Sequence, residues 1–547
     1  MSKYVHKFET VTAYTEDRTY NYREPWLSYT IENESMGYNK TEEEREYERL
    51  FGVPLTFEII SDGNISWRTS NTSYTCTIEY KKNDGEWTEI TSGPWTSPAV
   101  ISVSSGDTVQ FRGDNASYAS SSTVYVSFSS NTTVSFNVYG NIMSLIDSTG
   151  FASATTFSSD HNFYRFFYEC VALVDTSKLI LPAKTLAATC YGDMFAGCTS
   201  LTSAPKLIAT TLADSCYLAM FCRCTSLITP PELPVTTLTS YCYHKMFSGC
   251  TSLTTAPELP ATALTPWCYR EMFGCCTSLT TAPELPATIL AQTCYYGMFA
   301  GCTGLTSAPE LPATSIADAS NCYYAMYSGC TNISAAPALP ALTLASSCYA
   351  NMFAQCTGLT GAPELPAITL AYGCYQAMFS GCTSLTTAPE LTAATSLANY
   401  CYDKMFTNCI NLTTAPSTLP SAALGSYCCR SMFQGCTKLT VAPSLPSTSL
   451  SGNCYQAMFS GCTNLTTAPV LPATDLISGC YNNMFRGCSK LNYIKAMFTT
   501  TPSSTYTSNW VSGVASTGTF VKNVNASWTT TGVHAVPTGW TVTTASS

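Results

Sequence analysis

The sequence predicts a multidomain chain: a small α+β N-terminal segment, a β-sandwich domain, then a long α/β repeat solenoid with terminal caps. Three observations lead there. The chain repeats itself at a step of 26 to 28 residues through much of its 547 residues. Ahead of the repeats lies a series of β-rich runs separated by turn residues. Residues 1–52 stand apart in charge, with 11 of the 35 acidic and 7 of the 25 basic residues.

Bulk composition narrows the function classes. A net charge of −10 argues against a nucleic-acid surface, which would show as a basic stripe. No apolar run approaches the roughly 18 residues a membrane span requires, so no membrane insertion is expected. The opening MSKYVHKFETVTAYTED lacks the apolar centre of a secretory signal, and the first cysteine is Cys76, too late for a lipid anchor. Read as a complete chain, it is expected not to use the usual export route.

Residues 1–52 are charged and aromatic, ending in TEEEREYERLF; Thr41 followed by Glu44 fits a capping box that opens a short helix. Residues 53–140 hold PLTFEII, YTCTIEYKKNDGEWTEI, AVISVSSGDTVQFRG, STVYVSF and TTVSFNVYG. Asn83-Asp84-Gly85 is a strong hairpin signal between two of these runs. The spacing suggests an Ig-like or fibronectin-like β-sandwich, a spacer or a binding unit, between which fold alone does not choose.

Residues 141–496 carry the repeat. The first cysteines of the units are Cys190, Cys216, Cys242, Cys268, Cys294, Cys322, Cys348, Cys374, Cys401, Cys428, Cys454 and Cys480, after a degenerate unit around Asn162 to Cys170. Leu186, Cys190, Met194 and Cys198 recur every fourth residue with Tyr191 and Phe195 beside them, which reads as the apolar stripe of a helix. Thr185, Thr211 and Thr237 would cap it, and Gly197 or Gly249 would close it. The rest of the unit, LTTAPELP at 253–260, reads as a strand. A strand and a helix in about 26 residues make a leucine-rich-repeat unit, which buries its stripe only by stacking on neighbours. Residues 497–547 would form the closing cap. In the unit holding Cys322, ADASN lengthens the start by two residues, predicting a bulge or kink, and Tyr327 stands where phenylalanine is usual.

The 29 cysteines could be staples, ligands, nucleophiles or filling. On a helix Cys242 and Cys250 lie about 12 Å apart, whereas a disulfide needs Cα atoms within about 7 Å. Close pairs are confined to Cys222 with Cys224 and the doublets Cys275–Cys276 and Cys428–Cys429, and none of His6, His161, His244 and His534 recurs with the unit, so no metal or other cofactor is expected. A reactive thiol needs a basic partner, which does not recur either, so no catalytic residue is nominated. Small buried filling remains, with Cys190, Met194, Cys198, Cys242, Met246, Cys250, Cys294, Met298 and Cys302 as core.

Six units place a glutamate in the strand: Glu232, Glu258, Glu284, Glu310, Glu364 and Glu390. Alternation from the inward leucine points them outward, a solvated row rather than a calcium site, because Asp-rich loops are missing. Variation concentrates on the two residues before the first cysteine and the pair after Cys-Tyr. These positions are rich in Tyr, Ser, Asn and Gly, the composition of binding surfaces, although drift on a solvated face gives the same picture. The candidates for ligand contact are Tyr241, His244, Lys245, Trp267, Arg270, Tyr372, Tyr400 and Tyr427.

The pattern CYxxMFxGCTSLTTAPELPATTLA resembles the leucine-rich repeats of BspA-type surface proteins, in the variant found in Bacteroides and their gut phages. The resemblance covers roughly residues 141–547, including NWVSGVASTGTFVKN at 509–523. The leader "KFxTxxxY … PWLSYTIENESMGYNK" is similar to segments of crAss-like phage virion (fibre) proteins. The resemblance implies a non-enzymatic virion structural protein, a head or tail fibre or capsid-attached appendage. It would bind other virion proteins through residues 1–52 and adhere to a host surface protein, glycan or mucus through the solenoid. Fibres are symmetric oligomers, so a homodimer or homotrimer is expected. Its place would be the virion; the rivals are a BspA-like adhesin of the bacterial cell surface and a glycan-cleaving depolymerase, which would need a carboxylate pair in one cleft.

Overall fold

The structure, a computed structural model, describes residues 40–130, 134–391, 393–421 and 423–545. The leader read as a virion anchor lies, up to residue 39, outside them. The chain separates into two units, Met1–Arg49 and Leu50–Ser547.

Helix α1 (Glu42–Leu50) starts where the sequence places it. The Glu44 N–H donates to Thr41 Oγ1 at 3.2 Å, and the Thr41 N–H donates to Glu44 Oε2 at 2.7 Å. Two N–H groups left without partners by the first turn are thereby satisfied reciprocally.

The second unit opens with strands β1 (Leu55–Ser61), β2 (Gly63–Thr69), β3 (Thr77–Lys82), β4 (Thr88–Thr91), β5 (Gly93–Pro94), β6 (Ala99–Val103), β7 (Thr108–Arg112), β8 (Ala119–Ser121), β9 (Val124–Ser130) and β10 (Ser135–Asn141). Two short strands, β11 (Leu173–Asp175) and β12 (Leu179–Ile180), follow. One sheet runs β11-β10-β1-β7-β3-β4 with β12 also on β10; another runs β5-β2-β9-β8 with β6 on β2. Alternation sends Phe57 and Ile59 of β1 inward and Glu58 and Ile60 outward. The Phe57 ring meets Phe128 of β9 at 4.9 Å, so the two sheets face each other across an aromatic core. The β3–β4 hairpin turns at the expected Asn83, whose φ of 52° is a conformation asparagine tolerates. Strand β10 then pairs in parallel with β11 and β12. One apolar core continues from Leu55 to Trp540, without a break at residue 140.

The repeats form a mostly β solenoid with very little helix. This corrects the α/β expectation: the fourfold stripe is not helical. In the unit of Cys242, the N–H groups of Cys242, His244, Met246, Ser248 and Cys250 each donate to the carbonyl three residues back, at 3.0–3.4 Å. The alternate N–H groups leave the unit. Tyr241, Tyr243, Lys245, Phe247 and Gly249 donate to Pro266, Cys268, Arg270, Met272 and Gly274 of the next unit, at 2.7–3.2 Å. The segment is a train of turns hydrogen-bonded to the turns of its neighbour.

Backbone angles give the physical reason. Tyr241, Lys245 and Gly249 have φ of 59°, 58° and 80°, and the pattern recurs along the array as in Trp267, Glu271 and Cys275. A left-handed residue at every fourth position is incompatible with an α-helix and costs roughly 1–2 kcal/mol where a side chain is present. The inter-unit hydrogen bonds offset that cost, and glycine removes it at Gly249, Gly301, Gly329, Gly381, Gly435, Gly461 and Gly487. Those glycines are turn formers within a rung, not helix stops. Of the threonines read as caps, Thr185 and Thr211 are bridge residues, joined in the parallel bridge Thr185↔Thr211, and Thr237 lies in a bend.

Stacking buries the stripe as expected. Tyrosines from Tyr191 to Tyr402 stack face to face, for example Tyr243 on Tyr269 at 6.0 Å. Phenylalanines form a second ladder, with Phe247 on Phe273 at 5.6 Å. The core cysteines and methionines proposed from the sequence are all fully buried. Single parallel bridges such as Ala335↔Gly361 and Val441↔Thr467 join the other half of some rungs. The prolines of the Ala-Pro-Glu-Leu-Pro run have no N–H to donate, so the expected strand is cut to isolated contacts. Leu259 points inward and Glu258 outward, and the other strand glutamates are likewise exposed.

In the rung of Cys322 the two added residues form an extra turn, closed by the Ala319 N–H on Ile316 O at 3.1 Å. Ala319 turns into the core, and the rung bonds on either side keep their length, Tyr295 to Cys322 and Tyr323 to Cys348 both being 3.0 Å. The expected bulge stays in one corner and does not reach the stack. At the C-terminal end, β13 (Tyr493–Ala496), β14 (Thr519–Lys522) and β15 (Thr541–Thr544) pair in parallel. Trp510 ends the phenylalanine ladder, its Nε1–H donating to Ala535 O at 2.9 Å.

Candidate functional site

The turn half of the rungs offers one face built from three positions, the residue before the first cysteine and those two and three after it. Side chains such as Tyr241, Lys245 and Tyr372 reach its surface, while Thr293, Ala350, Asp403 and Ser431 are buried within it. Alternate N–H groups close each turn locally while those between them bond to the next rung, so equivalent side chains fall in columns. The degenerate first unit joins the same columns, since His161 and Arg165 donate to Ala188 and Gly192 as Tyr241 and Lys245 do to Pro266 and Arg270.

The structure brings five sequence candidates together. Tyr241 stacks on Trp267 at 5.2 Å and touches His244 at 5.8 Å. The Arg270 guanidinium lies 4.6 Å from both the Trp267 and Tyr296 rings, and Tyr296 stacks on Tyr324 at 4.7 Å. Lys245 and Arg270 both reach Glu271, at 3.2 and 2.9 Å. Partial burial raises the Glu271 pKa, but the two cations outweigh it and hold the carboxyl below its ordinary range. Burial, reinforced by Lys245 and Arg270, pushes His244 down to about 4, so it is neutral near pH 7.

Tyr372, Tyr400 and Tyr427 form a second cluster. Tyr400 stacks on Tyr427 at 4.8 Å, while Tyr372 tilts against Tyr400 at 5.3 Å and is 52% exposed. Between them the sequence reading missed Arg430, which sits 5.3 and 5.0 Å from the Tyr400 and Tyr427 rings. Its Nε and Nη2 donate to the two oxygens of Asp403, both at 2.8 Å, and Gln376 donates to the same carboxylate. Asp403 is fully buried.

A third cluster was also missed. Arg165 lies 5.3, 5.2 and 4.7 Å from the rings of Tyr125, Tyr164 and Tyr168, and its Nε donates to Asp193 at 3.1 Å. Each cluster is thus an arginine held among aromatic rings and turned by one carboxylate. In the three columns Arg165, Lys245, Arg270, Lys404 and Arg430 stand against Asp193, Glu271 and Asp403, five bases to three acids. The signal that could have found them is the columns read across units rather than along them.

The cysteines belong to the interior, apart from the exposed Cys275 and the half-buried Cys222. All 29 are free thiols. Burial pushes Cys242, Cys294 and Cys302 up to about 12, which keeps them protonated and poor nucleophiles. The second cysteine of the unit does more than fill space. Cys198, Cys250 and Cys302 donate their thiol protons to the carbonyls of Phe167, Phe221 and Phe273, at 2.9–3.0 Å. Among the described residues, no group of three His, Cys, Asp or Glu is placed to hold a metal ion, and no helix is long and apolar enough to cross a membrane. A hollow between rungs, lined by Pro443, Leu445, Pro469 and Val470 among others, carries no titratable side chain. No family model matches the chain, and no curated protein is similar to it.

Proposed function

We propose that this chain is a non-enzymatic virion structural protein, a head or tail fibre or capsid-attached appendage, that displays its repeat solenoid for adhesion to a host surface protein, glycan or mucus. In this reading residues 1–52 hold it to other virion proteins, the two-sheet part serves as an Ig-like spacer, and two or three copies associate. The observation that carries the adhesive role is the contrast within one rung. In the twelve full units the inward positions keep Cys, Tyr, Met and Phe with departures only at Tyr327 and Cys429, while the outward columns change and collect Tyr, Trp and Arg, the residues that dominate binding hot spots. The BspA-type repeat pattern supports display, and the crAss-like leader supports the virion.

The test is mass spectrometry and immunogold labelling of purified virions. Stoichiometric recovery with label on heads or tails is expected. Recovery from the bacterial envelope but not from virions would replace the reading with that of a cell-surface adhesin.

A further inference from the structure

The three arginine clusters share one chemistry and one face, Arg270 and Arg430 in one column and Arg165 in the column beside it, which is more than an adhesive surface requires. We propose that they form a single contact face for an anionic polysaccharide lying along the repeat axis. This rests on the adhesive reading above and names its ligand class.

The guanidiniums are presented for use. Arg270 commits Nε to Glu271, and Arg430 commits Nε and Nη2 to Asp403. The terminal nitrogens of Arg270 and Nη1 of Arg430 have no acceptor among the described residues. Flanking rings fix each plane and reduce the side-chain freedom lost on binding, and a planar fork suits a carboxylate or sulfate oxygen pair. Charge points the same way. Five bases against three acids make these columns locally cationic on a chain of net charge −10. The strand glutamates of the same units lie in a different row.

Position favours a polymer over a globular partner. Arg165, Arg270 and Arg430 belong to the degenerate, fourth and tenth units. At about 4.8 Å per rung they are spaced by roughly 19 and 29 Å. A globular protein would present different chemistry at each point, whereas a polyuronate or sulfated glycan presents the same anion at all three. The stacked rings spend their faces on each other and on the guanidiniums, so the face offers N–H and O–H donors rather than an open stacking platform for neutral sugars.

The test is affinity electrophoresis of the full chain through polygalacturonate, with dextran as the neutral control. Retardation by polygalacturonate alone, weakening as salt rises, is expected. Arg270→Gln should weaken it at least tenfold, because one of three linked contacts is lost. Arg270→Lys, which keeps the charge but not the fork, should fall between, with thermal midpoints unchanged in both. Equal retardation by dextran, or full binding by Arg270→Gln, would overturn the proposal. Binding to host cells that survives removal of acidic glycans but not protease treatment would assign the face to a protein partner. In that case the ligand class fails and adhesion stands; binding to neither cells nor glycans defeats both.

Discussion

Replacing Tyr327 with phenylalanine removes one oxygen from the centre of the solenoid. Tyr327 takes the phenylalanine place in its rung, fully buried, with its ring 5.7 Å from Phe299 and 5.5 Å from Phe353. Among the described residues its hydroxyl has no hydrogen-bond partner. A buried hydroxyl in that condition costs about 1–3 kcal/mol. The substitution keeps both ring contacts and leaves a space the size of one oxygen, worth a few tenths of a kcal/mol at about 24 cal/mol per Å³. The balance is a stabilisation of about 1–2 kcal/mol. In a chain this long each kcal/mol moves the midpoint by about 2–4 °C or less, so scanning calorimetry should show a rise of roughly 1–4 °C. The reverse change in the next rung, Phe353→Tyr, should lower it comparably. A fall in the midpoint of Tyr327→Phe would refute the reasoning, since the hydroxyl would then have to be satisfied.

Removing Arg430 as Arg430→Ala leaves the buried Asp403 carboxylate without its bidentate partner and should cost about 3–5 kcal/mol; in urea melts, adding Asp403→Asn should restore much of the loss. Cys250→Ala should destabilise by about 1–3 kcal/mol through the vacated volume and the orphaned Phe221 carbonyl, while Cys250→Ser, which can still donate, should cost less by the same melts. His244 has its folded pKa pushed down to about 4 from an ordinary 6.5, so the unfolded chain binds the proton more tightly. Its contribution is therefore complete above about pH 6.5 and is lost as pH falls toward 4, and His244→Gln should flatten the stability–pH curve across that window.

Much of the interior was legible. The period of 26 to 28, the inward Cys-Tyr-Met-Phe-Cys set, the outward glutamates and the capping box at Thr41 all appear where the residues put them. The helix was not legible as absent, because side chains at Cys242, Met246 and Cys250 point inward every fourth residue in either arrangement. What separates the two is backbone handedness. The cue was the glycine or asparagine seven residues after the first cysteine, as at Gly249 and Asn408, both with positive φ. The contact face was half legible. Tyr400 and Tyr427 stood out as aromatics, but Arg430 matters through Asp403 one unit earlier, a neighbour that only the stacking creates.

The two-residue insertion before Cys322 has a consequence for how such an array changes over generations. The added length is absorbed in a single turn while the rung bonds on both sides remain 3.0 Å long. That corner is therefore a tolerant graft point: segments can be gained or lost there without re-registering the units behind it. A lineage could diversify what it presents by lengthening corners and by duplicating or deleting whole rungs, leaving the thiol and aromatic ladders to join whatever units remain.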